Sequence, residues 1–177
     1  MTPAGQFVIV VTGSECTGKT TLARNLAARF NASCSDEYVR RYLDRKAASL
    51  DASDVGAIAR GQMDGEDAAI GAGTRLVIKD TDLASTVVYA RHYYGSCPDW
   101  IERAARERLG DVYLLLHPDV PWVADGLQRD RPAARDALHQ LFAEALAALG
   151  AHVVDITGDW PARLAQALAA IDAALRR

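Results

Sequence analysis

Short unbroken apolar runs alternate along the chain with longer stretches in which apolar residues recur every three or four positions. Phe7 to Val11 is such a run, ending at Thr12-Gly13, and reads as a buried strand. From Gly18 onward, Leu22, Leu26 and Phe30 repeat at the spacing of one helix face. Ala32 to Ser35 predicts a short second strand. Glu37 to Arg45 and Ser53 to about Ile70 predict helices, the second with Asp51 or Ser53 as its N-cap. Leu76-Val77-Ile78 predicts a third strand leading into Asp80-Thr81-Asp82. Asp82 stands where it would cap a helix that runs to Tyr94 and stops at Gly95. Pro98 to Leu109 predicts a further helix, and Val112 to Leu116 a fourth strand closed by His117-Pro118. Leu138, Leu141, Phe142, Ala145, Leu146 and Leu149 form the stripe of an amphipathic helix ended by Gly150. His152 to Ile156 predicts a fifth strand, and Leu164, Leu168, Ile171 and Leu175 mark a last helix.

Five apolar strands separated by helices predict an α/β fold: a five-stranded parallel sheet with helices on both faces and right-handed crossovers. A chain of 177 residues, half of them apolar, suffices for one domain over 1–177 with its own core. There is no internal repeat and no linker rich in Pro, Gly or Ser. No apolar run approaches membrane-spanning length, and no charged and apolar leader opens the chain, so a cytoplasmic protein away from membranes is expected. The odd count of three cysteines, with no C-x-x-C pair, fits reduced thiols. Without a secretory leader, Asn31-Ala32-Ser33 is expected to be a chance glycosylation match. A net charge of −3 points away from a nucleic-acid partner. The four histidines lie too scattered along the chain to suggest a metal cluster.

The most informative segment is Gly13-Ser14-Glu15-Cys16-Thr17-Gly18-Lys19-Thr20, which fits G-x-x-x-x-G-K-[ST] between a strand and a helix. Glycines at Gly13 and Gly18 let the backbone N–H groups of the loop, through Thr21, turn toward phosphate oxygens. The helix N-terminus adds its partial positive charge. Lys19 is expected to reach the β- and γ-phosphates of ATP, and the Thr20 hydroxyl to ligate Mg²⁺. Asp80, a carboxylate at the end of an apolar strand downstream, is the expected partner of that metal. Asp82 reads either as a helix cap or as a group that binds substrate or takes its proton. No N-K-x-D pattern is present, which argues against a GTPase switch, and the chain is short for a motor ATPase. Small-molecule kinases remain. The segment after the fourth strand, roughly 121–135, stands where such a kinase carries a short lid, and Arg129 and Arg131 there are expected to offset phosphoryl charge.

Several stretches occur together in one order: Glu37-Tyr38-Val39-Arg40, Gln62, Asp80-Thr81-Asp82, Tyr93-Tyr94-Gly95 and Trp122-Val123-Ala124-Asp125-Gly126-Leu127. With them the chain resembles, over nearly its whole length, the ribosylnicotinamide kinase domain of NadR-type proteins, as a stand-alone P-loop kinase domain. The resemblance implies transfer of phosphate from ATP to the 5′-hydroxyl of nicotinamide riboside, giving nicotinamide mononucleotide and ADP in NAD biosynthesis. The DNA-binding and adenylyltransferase domains of longer relatives are not carried over. Two positions depart from the family pattern. Asp36 stands where some members have an aromatic residue, and Gln128 where the lid often has arginine.

The residue types agree with that reaction. A ribose hydroxyl is a poor nucleophile, and a carboxylate that accepts its proton helps. Glu37 is the first candidate for this base and Asp82 the second. A cationic pyridinium ring suits the faces of Tyr38 or Tyr93, with Asp36 and Glu37 making the pocket acidic. Gln62 offers a carboxamide to pair with the substrate's own, Arg40 a cation for the 5′ end, and Trp122 a further contact to the acceptor. Gly158 and Trp160, after the last strand, lie where adenine would be covered. Two alternatives stay open. One is a P-loop kinase for another nucleoside or nucleotide, with Arg40 and Arg41 on an acceptor phosphate. The other is a nucleotide-binding regulatory module without turnover, which Gln128 would favour.

Overall fold

The computed structural model describes residues 5–122 and 134–176. Five strands, β1 (Phe7–Gly13), β2 (Ser33–Ser35), β3 (Leu76–Asp80), β4 (Val112–Leu116) and β5 (Val153–Ile156), form one sheet in the order β2-β3-β1-β4-β5. Every pairing is parallel. The register sets Val11 beside Asp80 and Gly13 beside Leu116. The C-terminal ends of β1, β3 and β4 therefore share one edge, where open α/β sheets collect their ligands.

Seven α-helices are described: α1 (Lys19–Phe30), α2 (Tyr38–Lys46), α3 (Val55–Gly71), α4 (Leu83–Tyr94), α5 (Asp99–Glu107), α6 (Arg135–Ala148) and α7 (Trp160–Leu175). The expected α/β architecture is thus present. One sheet face packs Ile9, Val11, Ile78 and Leu114 against Leu22 and Leu26 of α1 and Ala167 and Ile171 of α7. The other packs Val8, Val10, Val77 and Leu115 against α3, α4 and α6, through Ala69, Val88 and Phe142. Strands covered on both faces explain why β1 and β4 read as unbroken apolar runs. A third cluster joins α3, α4 and α5 through Val55, Leu83 and Ile101.

Local signals set several boundaries. The Asp82 carboxylate accepts from the Ala84 N–H at the start of α4, and Gly95 closes that helix in the left-handed region. Asp51 caps a 3₁₀ turn, Ala52–Asp54, whose Asp54 reciprocates on the Asp51 backbone. The helix expected from Ser53 therefore starts as that tight turn before α3. Asp159 caps α7 through the Ala162 N–H, with proline in the first turn.

Candidate functional site: a P-loop facing an aromatic cleft

The loop between β1 and α1 closes on its own backbone. The Thr17 hydroxyl and the Lys19 ammonium both donate to the Ser14 carbonyl, each at 2.9 Å. Lys19 is buried, at 8 % exposure. Gly18 is left-handed, and a Cβ there would lie 2.4 Å from the Trp160 ring. Only glycine suits both demands. Cys16 also has positive φ, so the loop holds a side-chain-bearing residue in a costly conformation.

Asp80 lies at the end of β3 with its carboxylate buried. Burial first, then the nearby charge of Glu37, pushes its pKa up to about 6, opposed by a hydrogen bond from the Thr20 hydroxyl and by the charges of Lys19 and Arg40. Its Oδ1 is buried without a hydrogen-bond partner. A hydroxyl and a carboxylate of which one oxygen is unused make a donor set that fits a hard divalent cation.

Asp82, two residues on, has the opposite surroundings. Tyr113 donates its phenolic O–H to Oδ2 at 2.5 Å, the Ala84 N–H donates to Oδ1 at 3.0 Å, and the residue is buried. Burial raises its pKa, and the charge of Lys79 opposes the rise. Its carboxylate thus has the partners of a helix cap and core anchor, one of the two readings expected for it. Between the two aspartates, Thr81 is held at φ 67, a strained conformation for a β-branched residue, while its N–H donates to Val11 and its carbonyl accepts from Gln62.

A cleft opens beside the P-loop. Its polar wall carries Glu15, Lys19, Glu37, Arg40 and Gln62, its apolar wall includes Val39, Leu43 and Ile58, and Tyr89, Tyr93 and Tyr94 of α4 form a third side. Glu37 is the residue before α2, and its carboxylate accepts from Arg40 Nε at 2.9 Å. The Tyr89 and Tyr93 rings are stacked, 6.0 Å apart at 6°. Tyr93 donates its hydroxyl to Glu15 at 3.4 Å.

The structure thus brings Lys19, Glu37, Arg40, Gln62 and Tyr93 to one cleft, with Thr20 and Asp80 beside it. Other expected residues fall elsewhere. Tyr38 turns away: its ring sits over Gly61 of α3, where a Cβ would lie 2.1 Å from it, and Arg45 covers it, 5.3 Å from the ring centroid. Asp36 is exposed and pairs with Arg24 at 3.6 Å. The Gln62 carboxamide is already engaged, accepting from the Tyr38 N–H at 3.0 Å and donating to Thr81. Trp122 is half-buried, and its indole N–H is buried without a partner among the described residues. Arg129 and Arg131, and most of the lid segment, lie outside the described residues.

On the far side of the P-loop, Trp160 is 53 % exposed and borders a groove with Thr21, Asn25 and Leu116. Gly158 donates its N–H to Asp119 at 2.7 Å.

Three features escaped sequence reasoning. Arg163 is buried in α7 and donates to the carbonyls of Gly158, Thr17 and His117 and to the Asp119 carboxylate, tying the P-loop to the ends of β4 and β5. An arginine within the apolar stripe of α7 was the available signal. Tyr89 precedes Tyr93 by one helical turn, and that spacing marks a shared face. Lys79 and Glu66 form a buried ion pair at 2.8 Å behind the cleft, joined by Arg108.

The histidines require a correction. Scattered in sequence, His117 and His139 are brought together by the fold with Asp155, their ligating atoms all within 4.8 Å. Burial first, then the neighbouring His117, holds the His139 pKa below its ordinary value.

A P-loop at the C-terminal edge of a parallel sheet in this order, facing a cleft, defines the class: the P-loop kinase fold. The sequence profile of the AAA domain family matches residues 8–163, and the chain belongs to that family. It is homologous to NadR: the trifunctional NAD biosynthesis/regulator protein NadR of Salmonella typhimurium is 31 % identical over 145 residues, 77 % of this chain and 35 % of that protein. The crystal structure of a NadR protein in complex with NR superposes with a TM-score of 0.79 at 27 % identity, covering 94 % of this chain and 51 % of that one. A NadR structure in complex with NAD and AMP-PNP gives 0.76 at 26 %, over 94 % of this chain and 49 % of that one. The chain thus spans about half or less of these relatives. For fold alone, thymidylate kinase of Ehrlichia chaffeensis gives 0.69 at 19 %, over 95 % and 99 % of the two chains. Among the described residues, no helix is long and apolar enough to cross a membrane.

Proposed function

We propose that this chain transfers the γ-phosphoryl group of ATP to the 5′-hydroxyl of nicotinamide riboside, giving nicotinamide mononucleotide and ADP. The observation that carries this reading is the cleft itself, in which a carboxylate, Glu37, and a tyrosine stack stand beside Lys19 of the P-loop. Homology to NadR supports the choice of acceptor.

In this reading the P-loop N–H groups hold the phosphates, and Lys19 leaves the Ser14 carbonyl to meet the transferring group. Glu37 accepts the 5′-hydroxyl proton as the oxygen attacks the γ-phosphorus and the bond to the leaving ADP oxygen breaks. Arg40 holds Glu37 in place. Thr20 and Asp80 would hold Mg²⁺, which would offset the negative charge of the phosphates. Tyr93, backed by Tyr89, offers a π face to the pyridinium ring. Trp160 contributes to the nucleotide side.

The test is a panel of acceptors assayed by ADP release. Nicotinamide riboside should have a higher kcat/KM than uridine, cytidine or thymidine, and nicotinamide mononucleotide should not be phosphorylated. Excess chelator should stop turnover. A neutral nucleoside or a nucleoside monophosphate as the preferred acceptor would leave a P-loop kinase and remove this substrate.

A further inference from the structure

His117 follows β4, His139 lies on α6 and Asp155 belongs to β5, so three separate segments meet at one sheet edge. Their ligating atoms lie within 4.8 Å of one another, His117 Nε2 stands 2.9 Å from Asp155 Oδ1, and the two imidazoles are 4.2 Å apart between centroids. An ion pair between His117 and Asp155 accounts for one contact. It does not account for His139 Nδ1, which is buried without a hydrogen-bond partner. A buried ring nitrogen without a hydrogen-bond partner, on an imidazole that also bonds the Leu116 backbone and stands beside a second imidazole and a carboxylate, is an arrangement that a metal ion resolves.

We propose that His117, His139 and Asp155 form a binding site for a divalent transition metal of the zinc class. Tetrahedral zinc with bonds of about 2.0–2.1 Å sets its ligand atoms about 3.4 Å apart, within small side-chain movements of the separations found here. Two imidazole nitrogens and one carboxylate oxygen select such an ion over Mg²⁺ or Ca²⁺, which take all-oxygen sets. Asp155 is 65 % exposed and His117 33 %, so water completes the coordination from the open side. The backbone of His117 is fixed from both directions, its N–H donating to Ile156 and its carbonyl accepting from Arg163. The site is distinct from the P-loop cleft and shares no residue with it.

A metal here joins α6 to the edge of the sheet. One turn before His139, Arg135 donates to the Val120 carbonyl at 3.1 Å and to the Cys16 carbonyl of the P-loop at 3.5 Å. Fixing α6 therefore also fixes the arginine that braces the loop.

The test uses the full chain without an affinity tag, stripped with chelator and titrated with Co²⁺. One equivalent should produce the visible absorption of a low-coordinate nitrogen and oxygen site, without thiolate charge transfer, and Zn²⁺ should displace it while Mg²⁺ does not. Zn²⁺ should raise the melting temperature of the stripped protein. His139→Ala and Asp155→Asn should each weaken binding by about tenfold or more. Asp155→Asn alters an exposed side chain and keeps its shape, so it reads out the site even if His139→Ala impairs folding. Absence of the Co²⁺ spectrum, thiolate bands that assign the ion to cysteine, or unchanged affinity in Asp155→Asn would each overturn the proposal. None of these readouts depends on kinase turnover.

Discussion

The two sides of the cleft are built differently. On the P-loop side, one short segment supplies most of the groups and satisfies itself, with Thr17 and Lys19 both donating to the Ser14 carbonyl. On the other side, α2, α3 and α4 each lend a few side chains, mostly apolar or aromatic, around the single carboxylate of Glu37. The first side is a backbone device whose positive charge is concentrated in one lysine. The second divides its contribution among several surfaces. Loss of one group should therefore be severe on the first side and graded on the second.

The largest expected effect is that of Lys19→Ala. Removing the cation that meets the transferring phosphoryl group should lower kcat by about 10²–10³ or more. The ammonium also donates to Ser14, so a modest fall in melting temperature accompanies the loss, and circular dichroism should show an intact fold. Folded Lys19→Ala protein with most of its activity would reverse the proposed ranking of the two sides.

The next largest sets Glu37 against Asp82. Glu37→Gln should lower kcat by about 10²–10⁴ with ATP affinity nearly unchanged. Asp82→Ala should act on stability instead. It removes a helix cap and leaves the Tyr113 hydroxyl buried without its acceptor, for a cost of about 2–4 kcal/mol. Chemical denaturation and kinetics on the folded fraction separate the two. A kcat loss confined to Asp82 variants at unchanged stability would move the base to Asp82.

These two acids also show what the sequence carries and what it hides. A strand of apolar residues followed by Asp80-Thr81-Asp82 marks the element, its end and its cap, and α4 runs from Leu83 to Tyr94 as its pattern predicts. β1, β3 and β4 were legible for the same reason, since each is a short buried run, whereas β2 and β5 are only partly buried. The orientation of side chains off those elements was not. Tyr38 and Tyr93 look alike in sequence, yet Gly61 on α3 opens a seat for one ring and leaves the other to the cleft. Asp82 was hidden because its partner, Tyr113, comes from a strand 31 residues away. His117, His139 and Asp155 were hidden likewise, for only the β4–β5 pairing and the packing of α6 bring them together.

Asp80 gives a smaller effect, and one that depends on pH. Its folded pKa, about 6, lies above the ordinary 3.8, so the folded protein holds this proton more tightly than the unfolded chain. The corresponding stability is present below the lower value and is lost as pH rises through the upper one. Without added metal, melting temperature should accordingly fall from about pH 4 to pH 6 through this group. Asp80→Asn should flatten that slope and raise stability at neutral pH, because it removes a buried charge. Metal-dependent activity should show the opposite trend, rising with pH over the same range as the carboxylate becomes available. An activity profile flat across that range would remove Asp80 from the metal.

The smallest expected effect lies on the aromatic wall and tests the acceptor most directly. Tyr93 has two separable properties: a hydroxyl 3.4 Å from Glu15, and a ring stacked on Tyr89. Tyr93→Phe keeps the ring and should leave the KM for nicotinamide riboside within about twofold, since a long hydrogen bond of 3.4 Å contributes little. Tyr93→Leu keeps apolar bulk and removes the π face. A cation–π contact of about 0.5–2 kcal/mol corresponds to a loss of about 2- to 30-fold in kcat/KM for the cationic riboside. The KM for ATP should move little, because the link of Tyr93 to the P-loop is a long hydrogen bond to Glu15. A neutral riboside of the same shape should be nearly indifferent to Tyr93→Leu, which isolates charge from packing. Equal losses for the cationic and neutral acceptors would mean that the tyrosine wall contributes only apolar surface, and that the preference for a pyridinium ring comes from the carboxylates of the cleft, Glu15 and Glu37.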